Sequence, residues 1–214
     1  MIGSAEAVVF DMDGVLWQSS LAHAAAFDEA FAESGIQCLP YESFAGRRTP
    51  EAVAHVLVER GVEPDPEVVR ALVARKRELV REVLANDPPI ADDTVPTIRA
   101  LAQRVPVGLA SSASRGSVEI FLNATGLREV FGVVLSGDDV ARAKPDPEIY
   151  LAAFDALGAD PANSRVVEDS ISGIAAGLAA GATVLGLVGT HPAEELKKAG
   201  VRSVLWTLGE LVDA

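Results

Sequence analysis

From residue 92 onward the chain alternates short apolar runs with helical stretches, and this rhythm constrains the fold more than any other feature. Thr94 to Gln103 has helical composition, Val105 to Ala110 is an apolar run, Ser117 to Thr125 is helical, and Val130 to Leu135 is a second run. The pattern continues with a helix over Glu148 to Leu157, a run at Arg165 to Val167, a small-residue helix over Ser170 to Ala180, and runs at Thr183 to Val188 and Ser203 to Trp206. Runs this short and this continuously apolar suit strands buried on both faces. The intervening helices are the crossovers that parallel strands require. The expected class is α/β, with a doubly wound parallel sheet.

An earlier run, Val8-Val9-Phe10, fits the same sheet and stops abruptly in Asp11-Met12-Asp13-Gly14-Val15. Two carboxylates at a strand end are ionised at neutral pH unless burial prevents it, and two close anions call for a cation or a shared proton. A hard divalent metal is the simplest answer. The plainer reading is a strand-end turn, since Asp-Gly is a common turn dipeptide. After this strand come three helical stretches with no strand between them: Leu21 to Ser34, Pro50 to Arg60 with Thr49 as its cap, and Pro66 to Ala85. Asp87-Pro88-Pro89 then breaks helix. Residues 17–88 are therefore expected to form an all-helical insertion.

Charge limits the partners. A formal net charge of -13 over 214 residues argues against non-specific binding to nucleic acid or to an anionic membrane, so an anionic substrate needs a local basic patch. The same acidic balance is compatible with a monomer. Cys38 is the one cysteine, which leaves no intrachain disulfide, and neither a basic-apolar leader nor an apolar run of spanning length is found. The expected location is cytoplasmic.

Three later strands also end in polar groups. The run Gly108-Leu109-Ala110 delivers Ser111, the loop after Asp138-Asp139 carries Lys144-Pro145, and Val166-Val167 delivers Glu168 and Asp169. Strand carboxyl ends surround the ligand crevice of an open parallel sheet, so these groups are expected to converge on Asp11 and Asp13. Singly, each has a plainer role: a loop serine, a solvated lysine, and acids at a helix start. Together they suit phosphoryl transfer. A metal between Asp11 and Asp169 neutralises phosphate oxygens, Ser111 donates to a non-bridging oxygen, and Lys144 offsets the charge of nucleophile and phosphate. Asp11 is the candidate nucleophile, because a carboxylate can form an acyl phosphate. Asp13 then protonates the leaving alkoxide and later deprotonates water.

These residues, in this order, resemble the four motifs of the haloacid dehalogenase-like superfamily, in particular its phosphatase branch: Asp11-Met12-Asp13-Gly14-Val15, Ser111, Lys144-Pro145 and Val167-Glu168-Asp169-Ser170. Gly108-Leu109-Ala110-Ser111-Ser112 and Arg142-Ala143-Lys144-Pro145-Asp146-Pro147 are similar to the β-phosphoglucomutase-like subgroup. The resemblance implies a Rossmann-like core over residues 1–16 and 89–214, a mobile helical cap over 17–88, and Mg2+. The implied ligands are the carboxylates of Asp11 and Asp169 and the backbone carbonyl of Asp13, with Glu168 at or just behind the metal. It also implies a small phosphorylated metabolite as substrate, a sugar phosphate or phosphoglycolate. A phosphomutase of the β-phosphoglucomutase type is the alternative, and a phosphoaspartate regulatory domain is a third reading that predicts a shorter chain without the helical insertion. Dehalogenation fits less well, because halide departure needs no general acid.

Ser112, His23, Arg47, Arg48 and Lys76 are the substrate-binding candidates, the last four as a basic lip on the cap. Against this stand an interior histidine and ordinary solvated arginines and lysine. The chain departs from the subgroup in two places. Trp17-Gln18-Ser19-Ser20 replaces an acidic residue followed by Ser or Thr and Glu, and Asp93-Thr94 replaces a Pro-Gly.

Overall fold

The computed structural model describes residues 2–86 and 88–212. Six strands form one parallel sheet: β1 (Val8–Phe10), β2 (Val107–Ala110), β3 (Val133–Leu135), β4 (Arg165–Glu168), β5 (Thr183–Leu187) and β6 (Ser203–Leu205). Their order is β3-β2-β1-β4-β5-β6. The chain begins in the middle, builds outward through β2 and β3, then returns to lay β4 against the other side of β1. Phe10 pairs with Leu109 on one side and Val167 on the other, so the chain segments after β1, β2 and β4 leave the sheet side by side. This is the point where the strand order reverses, and open α/β sheets bind ligands there.

Alternation along the strands divides the interior in two. Val8 and Phe10 of β1 and Leu109 of β2 face a core that includes Ile98 of α4 (Thr94–Ala102) and Phe121 of α5 (Arg115–Thr125). Val9 and Val166 face the opposite core, with Phe154 of α6 (Glu148–Leu157), Ile174 of α7 (Ile171–Ala179) and Leu196 of α8 (Ala193–Lys198). Both faces of the sheet are covered, which explains why the strands read as continuous apolar runs. Two strands, β2 and β3, start later than their sequence suggested, and β5 and β6 each end one residue earlier. The Val105 amide donates to Leu101 O at the end of α4, and the Val130 amide donates to Leu127 O in a turn, so neither residue is free to join the ladder.

The three-helix insertion is present as α1 (Ser20–Glu33), α2 (Thr49–Glu59) and α3 (Pro66–Asn86). Phe27 and Phe31 of α1, Val53 and Val56 of α2, and Leu72 of α3 share a cluster of their own. Val80 and Leu84, further along α3, pack into the same core as Phe10. The expected break at Asp87 lies outside the described residues. No helix among the described residues is long and apolar enough to cross a membrane.

Gly173 marks how tightly α7 approaches β4: a Cβ there would collide with the Glu168 carboxylate. Gly173→Ala is expected to destabilise the protein by about 2 kcal/mol or more, since the buried carboxylate must leave its donors to make room. A melting-temperature comparison with Gly177→Ala, where the nearest atom is a valine methyl, separates this effect from helix packing.

Candidate active site

Asp11 leaves β1 with its amide bonded to Val167 O, which places its side chain at the carboxyl end of the sheet. Lys144, fully buried, reaches the same place from the loop before α6. Its Nζ donates to Asp11 Oδ1 at 2.6 Å, Glu168 Oε1 at 2.7 Å, Tyr150 OH at 2.8 Å and Ala110 O at 3.1 Å. Burial alone would drive the ammonium neutral, but the Asp11 and Glu168 charges outweigh it and hold Lys144 well above its ordinary value.

Glu168 is saturated with donors. Oε1 accepts from Lys144 and from the Tyr150 hydroxyl at 2.8 Å, while Oε2 accepts from the Asp169 amide at 3.0 Å, the Ser170 amide at 3.0 Å and Ser170 Oγ at 2.9 Å. Burial opposes its ionisation, yet the Lys144 charge and these hydrogen bonds keep it below its ordinary value. Asp11 and Asp169 are less well compensated. Burial, with the neighbouring carboxylates, raises Asp11 well above the usual range despite Lys144. Burial and the Glu168 charge push Asp169 up to about 8, against a hydrogen bond from Thr190. Carboxylate oxygens of Asp11, Glu168 and Asp169 lie within 4.8 Å of one another, all buried.

Asp13 has a different environment. Its Oδ1 accepts from Trp17 Nε1 at 2.7 Å and Ser19 Oγ at 2.5 Å, and His23 Nε2 stands 3.2 Å away off the hydrogen-bonding axis. Burial favours the neutral acid here too, but the His23 charge and these donors win and hold Asp13 well below its ordinary value. Behind His23, Lys76 Nζ sits 2.8 Å from Nδ1 and 4.6 Å from the Phe27 ring centroid. Burial pulls Lys76 down to about 8 although Asp13 opposes the shift, and burial with the Lys76 charge also lowers His23.

A cavity of ≈ 40 Å³ lies between the sheet end and the helical insertion, room for a phosphate-sized group or a few waters. Of the residues singled out from sequence, Asp11, Asp13, His23, Arg47, Lys76, Ser112 and Asp169 line it. Ser111, Lys144 and Glu168 form the wall behind: all three are buried, and Ser111 Oγ accepts from the Ala113 amide at 3.0 Å. Arg48 turns elsewhere, donating to Val140 O and to Ala141 O, the latter at 3.2 Å. Ser112 lines the cavity but donates its hydroxyl proton to Gly46 O at 2.7 Å, and Ser172 does the same to Ala45 O at 3.0 Å. These bonds tie the 44–48 loop of the insertion to the sheet end. Gly46 has φ +79°, and a Cβ there would run into the Ser170 and Ser172 hydroxyls. Tyr150, Thr190, Tyr41 and Phe44 were not singled out from sequence. Thr190 had the same signal as Ser111, a hydroxyl shortly after a strand end, whereas the aromatic residues carry no motif.

A model of the haloacid dehalogenase-like hydrolases matches residues 5–181. The chain is 36% identical over 207 residues to validoxylamine A 7'-phosphate phosphatase of Streptomyces hygroscopicus subsp. limoneus, covering 90% of each chain. Its fold superposes on a hydrolase from Pseudomonas syringae with TM-score 0.90 at 24% identity, over 97% of this chain and 96% of the other. It also superposes on CbbY from Rhodobacter sphaeroides in complex with xylulose-(1,5)bisphosphate, with TM-score 0.82 at 27% identity, over 97% and 96%. Sheet order, buried acidic cluster and these likenesses agree: the chain belongs to the haloacid dehalogenase-like hydrolase family.

Proposed function

We propose that the chain hydrolyses the phosphate monoester of a small metabolite, a sugar phosphate or phosphoglycolate-like compound, in a Mg2+-dependent reaction with Asp11 as nucleophile. The observation that carries this reading is the charge imbalance of the buried cluster. Asp11, Glu168 and Asp169 converge on one point with Lys144 as their one ammonium partner among the described residues, and Lys144 is committed to Asp11 and Glu168. An all-oxygen, carboxylate-rich donor set suits a hard divalent cation. The Asp11 and Asp169 carboxylates and the Asp13 carbonyl would hold it, with Glu168 fixed behind by its five donors. When bound, Mg2+ neutralises phosphate oxygens and so allows an anion to approach an anionic ester.

The side chains then divide the work. A carboxylate oxygen of Asp11 forms a bond to phosphorus as the ester oxygen leaves, and Asp13 gives that oxygen its proton. Asp13 next takes a proton from water, the water oxygen attacks the phosphorus of the acyl phosphate, and inorganic phosphate departs with Asp11 regenerated. Lys144 stabilises charge on Asp11 and the transferring group, and Ser111 donates to a phosphate oxygen. The donors gathered on Asp13 Oδ1 favour the ionised form, which serves the water step. The first step requires that substrate binding loosen one of them. Residues 17–88 serve as the cap and residues 1–16 and 89–214 as the core, with His23, Lys76 and Arg47 as the basic side of the cavity. The relative named as a validoxylamine A 7'-phosphate phosphatase and the neighbour solved with xylulose-(1,5)bisphosphate support the substrate class.

Chelation with EDTA is expected to abolish phosphate release from p-nitrophenyl phosphate, and Mg2+ to restore it at least 100-fold, on the order of the effect of a lost electrostatic stabiliser. Unchanged activity in EDTA would overturn the reading. Phosphate release without a sugar bisphosphate activator supports hydrolysis, whereas isomerisation dependent on that activator would replace it with a mutase. Stability gives a second readout. An acid whose folded pKa is raised binds more protons folded than unfolded, so metal-free stability falls as pH rises. For Asp169 that window runs from its unfolded value near 4 up to about 8. The melting temperature of the metal-free protein should therefore drop across this window, and Mg2+ should raise it most at the alkaline end.

A further inference from the structure

The ≈ 40 Å³ cavity has room for the phosphate but not for a whole metabolite, so the alcohol portion of the ester must extend beyond it. A second cavity of ≈ 320 Å³ adjoins the first and shares Tyr41 and Thr190 with it. Thr190 hydrogen-bonds the Asp169 carboxylate, which places the shared wall beside the acidic cluster. Gln18, Leu21 and Glu42 complete the part of the lining that bears on recognition. Gln18 therefore has a place in this cavity, whereas Trp17, its neighbour in the departure from the subgroup pattern, is buried in the core. Leu21 is 84% exposed, an apolar side chain in water where it lines this cleft.

A third cavity, of ≈ 400 Å³, lies inside the insertion behind Phe27, Tyr41 and Phe44. It shares only those aromatic side chains with the site and no group that touches the acidic cluster. The Thr190 side is therefore the better exit.

We propose that the cavity lined by Gln18, Leu21, Tyr41, Glu42 and Thr190 is the subsite for the alcohol portion of the substrate, and that it takes an uncharged or amine-bearing polyol in preference to one with a second anionic group. Leu21 and the Tyr41 ring offer apolar contact to the C–H face of such a group, and Gln18 offers hydrogen bonds to its hydroxyls, while Thr190 Oγ1, which donates to Asp169 and pairs with Ser20 Oγ at 2.9 Å, has only a lone pair left to accept one. No Lys, Arg or His lines it among the described residues, and its one charged side chain is the exposed Glu42. Arg47 lines the smaller cavity and not this one. A second phosphate or carboxylate placed here would meet an acid and no cation, whereas an ammonium would meet a partner.

This inference rests on the phosphatase reading, and acetyl phosphate, too small to enter the subsite, tests that reading separately. The experiment compares kcat/KM for acetyl phosphate, glucose 6-phosphate, glucosamine 6-phosphate and 6-phosphogluconate in the intact protein with Mg2+ at low ionic strength. The expected order is glucosamine 6-phosphate first and 6-phosphogluconate last, with roughly five-fold between the amine and its neutral counterpart, the scale of an exposed ion pair. Glu42→Lys should erase or reverse that order, and Leu21→Asp should lower kcat/KM for both hexose phosphates by roughly ten-fold, the scale of a lost apolar contact. Both positions are exposed, so neither variant threatens the fold. Acetyl phosphate hydrolysis should move less than about two-fold in either variant, since neither residue lines the smaller cavity. The proposal is overturned if the ester preferences stay put in both variants, or if acetyl phosphate falls in step with the larger esters. Failure of the wild type on acetyl phosphate would instead overturn the phosphatase reading.

Discussion

Asp11→Asn is expected to leave a folded protein whose turnover of p-nitrophenyl phosphate and acetyl phosphate is at least about 10³-fold lower than wild type. The magnitude follows from losing a covalent pathway in which one difficult displacement is divided into two. An amide matches a carboxylate in size but is a poor nucleophile. The fold should survive because the substitution removes one anion from a place where three buried carboxylates crowd together. The Lys144 ammonium keeps Glu168, Ala110 O and the Tyr150 hydroxyl as partners, and the asparagine carbonyl oxygen can still accept its proton. Turnover near the wild-type rate would remove Asp11 from the chemistry, and circular dichroism or a melting curve run alongside shows that a dead variant is still a folded one.

Lys144→Met is expected to damage both stability and activity, and the stability loss is the more telling. Methionine fills most of the volume, so packing is largely kept, but two buried carboxylates lose their shared cation. Removing one member of a buried ion pair typically costs about 3–5 kcal/mol. For a domain of this size that corresponds to a fall in melting temperature of roughly 6–20 °C. Glu168 keeps its backbone and hydroxyl donors, so the larger share of the strain falls on Asp11, whose one described donor is Lys144. Mg2+ should recover part of the lost stability, because an ion held as proposed would bring positive charge to the same acidic cluster. A variant that melts like wild type without metal would mean that the lysine is not holding the cluster together. A companion variant, Tyr150→Phe, removes one hydroxyl from both Lys144 and Glu168 without removing charge, and should cost only about 1 kcal/mol.

The sheet was legible because burial on both faces writes itself into a strand as an unbroken apolar run, and Val8-Val9-Phe10 and Val166-Val167 are such runs. The acidic cluster was legible for a related reason: Asp11, Ser111 and Asp169 follow directly on strands and Glu168 ends one, and parallel topology sends all those ends to one edge. Where a side chain turns after leaving the backbone was not legible. Arg47 and Arg48 are adjacent and chemically alike, yet one lines the cavity and the other grips the carbonyls of Val140 and Ala141. Trp17 and Gln18 are adjacent as well, and one is buried against Phe121 while the other lines the larger cleft. Such choices depend on which distant loop arrives beside the residue, and one-dimensional periodicity carries no record of that. Lys76 shows the same limit, since only the approach of α1 buries it against His23.

The bonds that hold the 44–48 loop against the sheet end share one property: every acceptor is a main-chain oxygen. Ser112 binds the carbonyl of Gly46, Ser172 that of Ala45, and Arg48 those of Val140 and Ala141. Each residue type carries such an oxygen, so the seam does not read the side chains of the loop it clasps. Apart from Gly46, the Arg48 guanidinium and the buried Phe44 and Ala45, the loop is thus free to change at Arg47 over evolutionary time without unfastening. A lineage can in this way exchange the residue facing a new metabolite while inheriting the clasp intact, and the ancestry of the enclosure and the ancestry of substrate choice become separable histories.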